Sequence, residues 1–183
     1  EIPKPGKGVG VRSLGIPTLR DRVLHATIKA VLEPILDPAF SESSYGFRPG
    51  RNQRQAVEAA QKHVQTGKEY IVDIDLSKFF DRIQHDRLIH RLSLKIQDKR
   101  VLRLIGLILR SGIMKDGLVS PSNEGSVQGS PVSPLLSNVV LDELDKELER
   151  RGLPFCRFAD DANIFVGSEK AAQRVIRSVT PFI

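Results

Sequence analysis

Three aspartates carry the chemistry this sequence can do: Asp75, closing the string EYIVDID, and Asp160 with Asp161, flanked by PFCRFA and ANIFVG. If the strands bearing them pair as neighbours, three carboxylates meet in one place. Such a cluster repels itself unless cations intervene. A site made only of carboxylate oxygens suits hard divalent ions such as Mg²⁺, which keep room for water and substrate phosphates, and so points to phosphoryl transfer. An Asp-Asp turn alone needs no more explanation than the left-handed backbone that aspartate tolerates, so the context must decide.

The elements around these residues are readable from their patterning. EYIVDID is a short β-branched run that delivers Asp75 at or near a strand end, with Ile71 and Ile74 expected inside. PFCRFA and ANIFVG form a hairpin with Asp160 and Asp161 at its tight turn. A helix is expected from Ser133 to Arg151, ending at Gly152, and a last one begins near Ser168. Upstream, VGVRSLGIP alternates like an edge strand or hairpin. From the N-cap Thr18, a long helix puts Val23, Ile28, Val31, Leu32, Ile35 and Leu36 on one apolar face and is bent or ended near Pro34. RNQRQAVEAAQKHVQTG is a second helix that stops at Gly67. Residues 84–112 hold two helices, and 113–127 form an irregular hairpin. Strand, helices, strand, strand, helix in the second half makes an α+β fold with an antiparallel sheet backed by helices, not a doubly wound parallel sheet.

Composition narrows the class. With 183 residues, 40% of them hydrophobic, there is material for one core or two small lobes, so a disordered polypeptide is excluded. One cysteine, Cys156, rules out an internal disulfide, and four scattered histidines offer no zinc spacing. Cys156 reads as a small buried hydrophobe. No apolar run approaches the ~20 residues of a bilayer span, so a cytoplasmic protein without membrane attachment is expected. The net charge of +6 lies mainly in residues 1–68, which hold 11 basic against 6 acidic residues. A basic lobe beside a nearly neutral one with clustered aspartates is what polyanion binding next to metal chemistry needs.

The strings VDIDLSKFFD from Val72, QGSPVSPLLSN from Gln128 and FADD from Phe158 resemble, in order and spacing, three hallmark motifs of reverse transcriptases, and the chain is similar throughout to those encoded by group II introns. Phe158 before ADD and Ser130 after the first glycine depart from the usual group II pattern. The resemblance implies a right-hand polymerase: fingers over 1–50, a first part of the palm over 51–82, a fingers or connecting insertion over 83–127, and a second part of the palm over 128–183. It implies that Asp75 and Asp160 are metal ligands, Asp161 the accessory acid, and the Leu76 carbonyl a further ligand for two Mg²⁺ ions, with Mn²⁺ a substitute. Two such ions about 3.5–4 Å apart activate a primer hydroxyl and stabilise the leaving pyrophosphate.

By the same resemblance Phe80, five residues after Asp75, is a steric gate against the 2′-hydroxyl; that both Phe79 and Phe80 belong to the core is the alternative, expected to hold for Phe79. Gln128 and Gly129 approach the nucleotide from a loop preformed by prolines, for which a plain helix-entry turn is the bland alternative. Arg12, and less specifically Lys4 and Lys7, hold the triphosphate, since the planar fork of arginine suits phosphate; an exposed strand arginine is the ordinary alternative for Arg12, and a solvated surface stands equally open for Lys4 and Lys7. YGFRPGRNQRQA offers Arg48, Arg51 and Arg54 to the template backbone. The implied partners are RNA template, DNA primer, dNTP and, in the parent protein, intron RNA. The resemblance also implies that thumb and maturase regions lie outside these residues. Such a piece is expected to have little or no activity alone, and its uncovered apolar surface favours a homodimer. A splicing cofactor with a vestigial polymerase site, and a retron or defence-associated reverse transcriptase, stand as the competing readings.

Overall fold

The computed structural model describes residues 2–3, 11–12, 14–76, 79–115, 118–120, 124–126 and 128–182, with the side chains of 2, 3, 11, 12, 113, 115 and 119 outside that description. The chain forms two compact units, each built from separate stretches: residues 1–36 with 78–137, and residues 37–77 with 138–183.

In the first unit, β1 (Ile2–Pro3) pairs antiparallel with β2 (Val11–Arg12), as the alternation around VGVR leads one to expect. Thr18 then caps α1 (Leu19–Leu36), its hydroxyl accepting from the Asp21 amide at 3.2 Å. The helix passes through Pro34, whose missing amide and ring disturb only the turn before it, and stops at Leu36, two residues short of Pro38. Its buried seam is narrower than the expected face. His25, Ile28, Leu32 and Leu36 are inside, whereas Val23, Val31 and Ile35 are more than half exposed. The helices α3 (His85–Ser93) and α4 (Lys99–Arg110) follow, burying Leu88, Leu92, Ile105 and Leu109 at the helical period, and β4 (Ile113–Lys115) pairs with β5 (Leu118–Ser120).

The second unit opens with a loop into α2 (Gln53–Gln65), which starts on a capping box: the Asn52 side chain accepts from the Gln55 amide, and the Gln55 side chain accepts from the Asn52 amide. Gly67, at φ +83°, allows the turn that follows it. β3 (Tyr70–Asp75), β6 (Phe155–Phe158) and β7 (Asp161–Val166) form one antiparallel sheet in the order β3-β7-β6. α5 (Ser133–Arg150) contributes Leu144 and Leu148, and α6 (Glu169–Val179), capped by Ser168, contributes Val175 and Val179, to a core with Val72, Phe155, Ile164 and Val166. The fold is thus α+β, with an antiparallel sheet backed by helices. In β3 the inward residue is Val72, 5% exposed, and Ile71 is outward at 51%. The strand alternates in the opposite phase to the expected burial of Ile71, while Ile74 is half-buried against the core.

Candidate active site

Register assembles the aspartates. β3 and β7 pair along their full lengths, and the last pair is Asp75 opposite Asp161. Residues directly opposite in an antiparallel ladder present their side chains to the same face, with Cβ atoms about 4.5–5.5 Å apart, and like charges so placed oppose folding. Both carboxylates belong to exposed residues, and the neighbouring Asp160 is half-buried. Leu76, half-buried, follows β3 directly.

The hairpin turn sits one residue earlier than the sequence suggests. Phe158 pairs with Asp161, so the two turn residues are Ala159 and Asp160, and Asp161 already belongs to β7. Ala159 takes φ +59° and Asp160 is not among the positive-φ residues. A positive first angle alone is the pattern of a type II′ turn, which matches the twist of the strands it joins.

Behind the turn lies a buried polar cluster that sequence reading did not single out. Arg157, on β6, donates through Nε and Nη2 to the two carboxylate oxygens of Asp145 at 2.8 and 2.6 Å, with both side chains wholly buried. Its Nη1 donates to the Asn138 side-chain oxygen at 3.0 Å and to the Ala159 carbonyl at 2.8 Å. Asn138 in turn donates to the Gly46 carbonyl at 3.0 Å. The loop at 43–45 runs along β6, the Arg157 amide donating to Ser43 and the Tyr45 amide to the Arg157 carbonyl. Asn138 and Asp145, seven residues apart and so on one face of the helix, are the sequence signal that points to such a cluster.

Cys156, buried on β6, has its thiol pushed up to about 11 by burial, which fits a packing residue and not a nucleophile. Of the three arginines assigned to the template, Arg48 is 8% exposed; it holds Asp37 through Nε at 2.7 Å and donates to the Ser44 carbonyl at 3.1 Å. Its charge is neutralised from within, so Arg48 is corrected from a template contact to a structural cation. Arg51 lies over the Tyr45 ring at 5.5 Å and pairs with Glu42, while Arg54 is exposed and pairs with Glu58 one helical turn on.

In the first unit, Phe79 and Phe80 are both half-buried, with rings edge to face at 5.9 Å, so neither is fully in a core. The Phe80 carbonyl accepts from the Ser126 amide at 2.6 Å. The Gln128 carbonyl accepts from the Gly15 amide at 2.8 Å, and a Cβ at Gly129 would meet the Gly15 carbonyl oxygen at 2.3 Å. The close approach that Gly129 permits is therefore filled by Gly15. Arg12 lies on β2 with its side chain outside the description, and Lys4 and Lys7 lie outside the described residues.

A donor set of aspartate oxygens alone is what Mg²⁺ takes. Among the described residues no three acidic, His or Cys side chains stand close enough to hold an ion as they are. The register places Asp75 opposite Asp161, with Asp160 immediately before it in the turn. No helix among the described residues is long and apolar enough to cross a membrane.

A sheet that brings one strand-end aspartate against an Asp-Asp hairpin, backed by helices, defines a palm-type nucleotidyl-transfer architecture. The chain belongs to the reverse transcriptase family: the family described as "Reverse transcriptase (RNA-dependent DNA polymerase)" matches residues 2–183. It is 30% identical to Protein YkfC of Escherichia coli (strain K12) over 204 residues, covering 91% of this chain and 54% of that protein. It is 35% identical to the Group II intron-encoded protein LtrA of Lactococcus lactis subsp. cremoris over 147 residues, covering 80% of this chain and 24% of LtrA. The chain thus spans about half of one curated relative and a quarter of the other. Among solved structures, a chain of the partial Cas6-RT-Cas1–Cas2 complex matches at 33% identity and TM-score 0.53, over 92% of this chain and 31% of that one. Apo telomerase from Candida Tropicalis, truncated from its C-terminal domain, shares the fold at TM-score 0.64 and 11% identity, over 84% of this chain and 36% of that one.

Proposed function

We propose that this chain carries the palm of an RNA-directed DNA polymerase in which Asp75, Asp160 and Asp161, with the Leu76 carbonyl, bind two divalent ions. The observation that carries the reading is the register of Asp75 against Asp161 beside a turn that ends on Asp160. Bound Mg²⁺ supplies charge neutralisation for the attacking primer hydroxyl and the leaving pyrophosphate. The chain's own part is to fix the carboxylates on two paired strands before substrate arrives. Phe80, Gln128, Gly129 and Arg12, with Lys4 and Lys7, are the residues this reading assigns to the nucleotide, and Arg51 and Arg54 those it assigns to the template backbone. Replacing Asp160 by Asn removes a charged ligand and should lower primer extension by about a thousandfold or more. Wild-type extension by Asp160→Asn in the complete encoded protein would refute the assignment.

The group II intron reading is supported by the 35% identity to LtrA. It adds intron RNA to template, primer and dNTP as a partner. A defence-associated reverse transcriptase is the second reading, favoured by the 33% identity to the chain in the complex with Cas proteins. Sequencing the RNA that copurifies with the complete protein separates them: enrichment of a structured intron supports the first, and its absence beside short unrelated RNAs supports the second.

A further inference from the structure

The turn that carries Asp160 is held in a conformation its own sequence does not favour. Ala159 sits at φ +59°, where a Cβ crowds the following carbonyl and glycine is the usual occupant. The Arg157 side chain reaches that turn from inside. Asp145 takes Nε and Nη2 of Arg157, which leaves Nη1 facing the Ala159 carbonyl at 2.8 Å, with Asn138 accepting from the same nitrogen at 3.0 Å. Arg157, Asp145 and Asn138 are each 0% exposed. A buried ion pair is weak support for stability, since apolar residues of similar volume often do as well, and its best-attested use is to specify one arrangement among several. The arrangement available for it to specify is the turn. Asn138 adds the opposite wall by donating to Gly46, whose backbone lies so close that a Cβ there would meet the Ala159 nitrogen at 2.2 Å.

We propose that Arg157, oriented by Asp145 and Asn138, is a positioning residue that locks the Ala159–Asp160 turn in the conformer presenting Asp160 for metal binding. The inference rests on the reading of Asp160 as a ligand. Lysine at 157 keeps a charge beside Asp145 but has no planar fork to hold that carboxylate and the Ala159 carbonyl together.

The test uses the complete encoded protein with Arg157→Lys, Asn138→Ser, Asp160→Asn and the double variant Arg157→Lys/Ala159→Gly. Primer extension and amide hydrogen exchange over 158–162 are measured on each. Arg157→Lys should lower kcat about tenfold, with the KM for dNTP unchanged within twofold, and should speed exchange at the turn about tenfold. Adding Ala159→Gly should restore most of kcat without restoring thermal stability, because glycine takes the positive φ unaided. A folded Arg157→Lys with kcat and exchange within twofold of wild type overturns the proposal, as does a double variant no faster than the single one. If Arg157→Lys does not fold, Asn138→Ser carries the same expectation for kcat and exchange; failure of both to fold makes the cluster scaffold only and overturns the proposal. Inactive Asp160→Asn beside an unaffected Arg157→Lys removes the positioning role alone, whereas active Asp160→Asn sinks the ligand reading together with it.

Discussion

Replacing Gly46 with alanine inserts one methyl group into a close backbone approach within the second unit. The added Cβ would lie 2.2 Å from the Ala159 nitrogen, 2.9 Å from the Ala159 Cα and 3.0 Å from the Phe158 carbonyl carbon. Ordinary van der Waals contact begins near 3.4 Å, so the two segments must part by roughly 1.2 Å. All three opposing atoms are backbone, and no side chain can swing away to relieve them. Overpacking of this kind costs about 1–3 kcal/mol, and the upper end applies because the Asn138 bond to Gly46 opposes the separation. At roughly 2–4 °C per kcal/mol for a chain of this size, a melt should show a loss of about 6–12 °C. The displaced segment ends on Asp160, and a misplacement of about 1 Å at a reacting centre can cost a hundredfold in rate. Gly46→Ala should therefore lower kcat for primer extension by about ten- to a hundredfold at a temperature where the protein is still folded. A melting temperature within 2 °C of wild type and unchanged kcat would refute the claim that this approach is rigid.

Two further outcomes are expected. Phe80→Val should raise ribonucleotide incorporation relative to deoxynucleotide by roughly tenfold or more, and unchanged sugar discrimination in single-nucleotide extension would remove the gate role. Burial moves the Cys156 thiol from an ordinary 9.0 to about 11, so the folded state keeps this proton more tightly. Its contribution to stability is then complete below pH 9 and is lost as pH rises toward 11. Alkylation by iodoacetamide at pH 8 should accordingly be at least about a hundredfold slower in the native protein than in urea, and equal rates would contradict the burial.

Local rules carried much of the fold. Asn52 with Gln55, Ser168 and Thr18 mark helix starts because a side chain three residues from an orphan amide satisfies it, a relation wholly contained in the sequence. The phase of β3 was legible in principle. An accessible Asp75 requires Ile71 and Asp73 on its own face, which leaves Val72 and Ile74 for the core. Arg48, a basic residue beside other basic residues, looks like an anion site in the sequence, but the loop before it folds the Asp37 carboxylate and the carbonyls of Asp37, Ser41 and Ser44 around it. The Arg157 cluster escaped for the same reason. Asp145 and Asn138 are ordinary polar residues of a helix until the next strand, β6, folds back and sets Arg157 against them. Short-range chemistry thus located the aspartates and their strands, whereas the props behind them depend on contacts that no local pattern encodes.

The interlaced construction of the two units has a consequence for biosynthesis. Residues 78–137, which all belong to the first unit, are made between the strand bearing Asp75 and the one that pairs with it. At about 5–20 residues per second, position 161 leaves the ribosome several seconds after position 75. For that interval β3 has no sheet neighbour, and its exposed Tyr70 and Ile71 belong to an edge with unmatched amides and carbonyls. Residues 78–137 of the first unit are therefore made while β3 waits, and Asp75 meets Asp161 only after they have emerged.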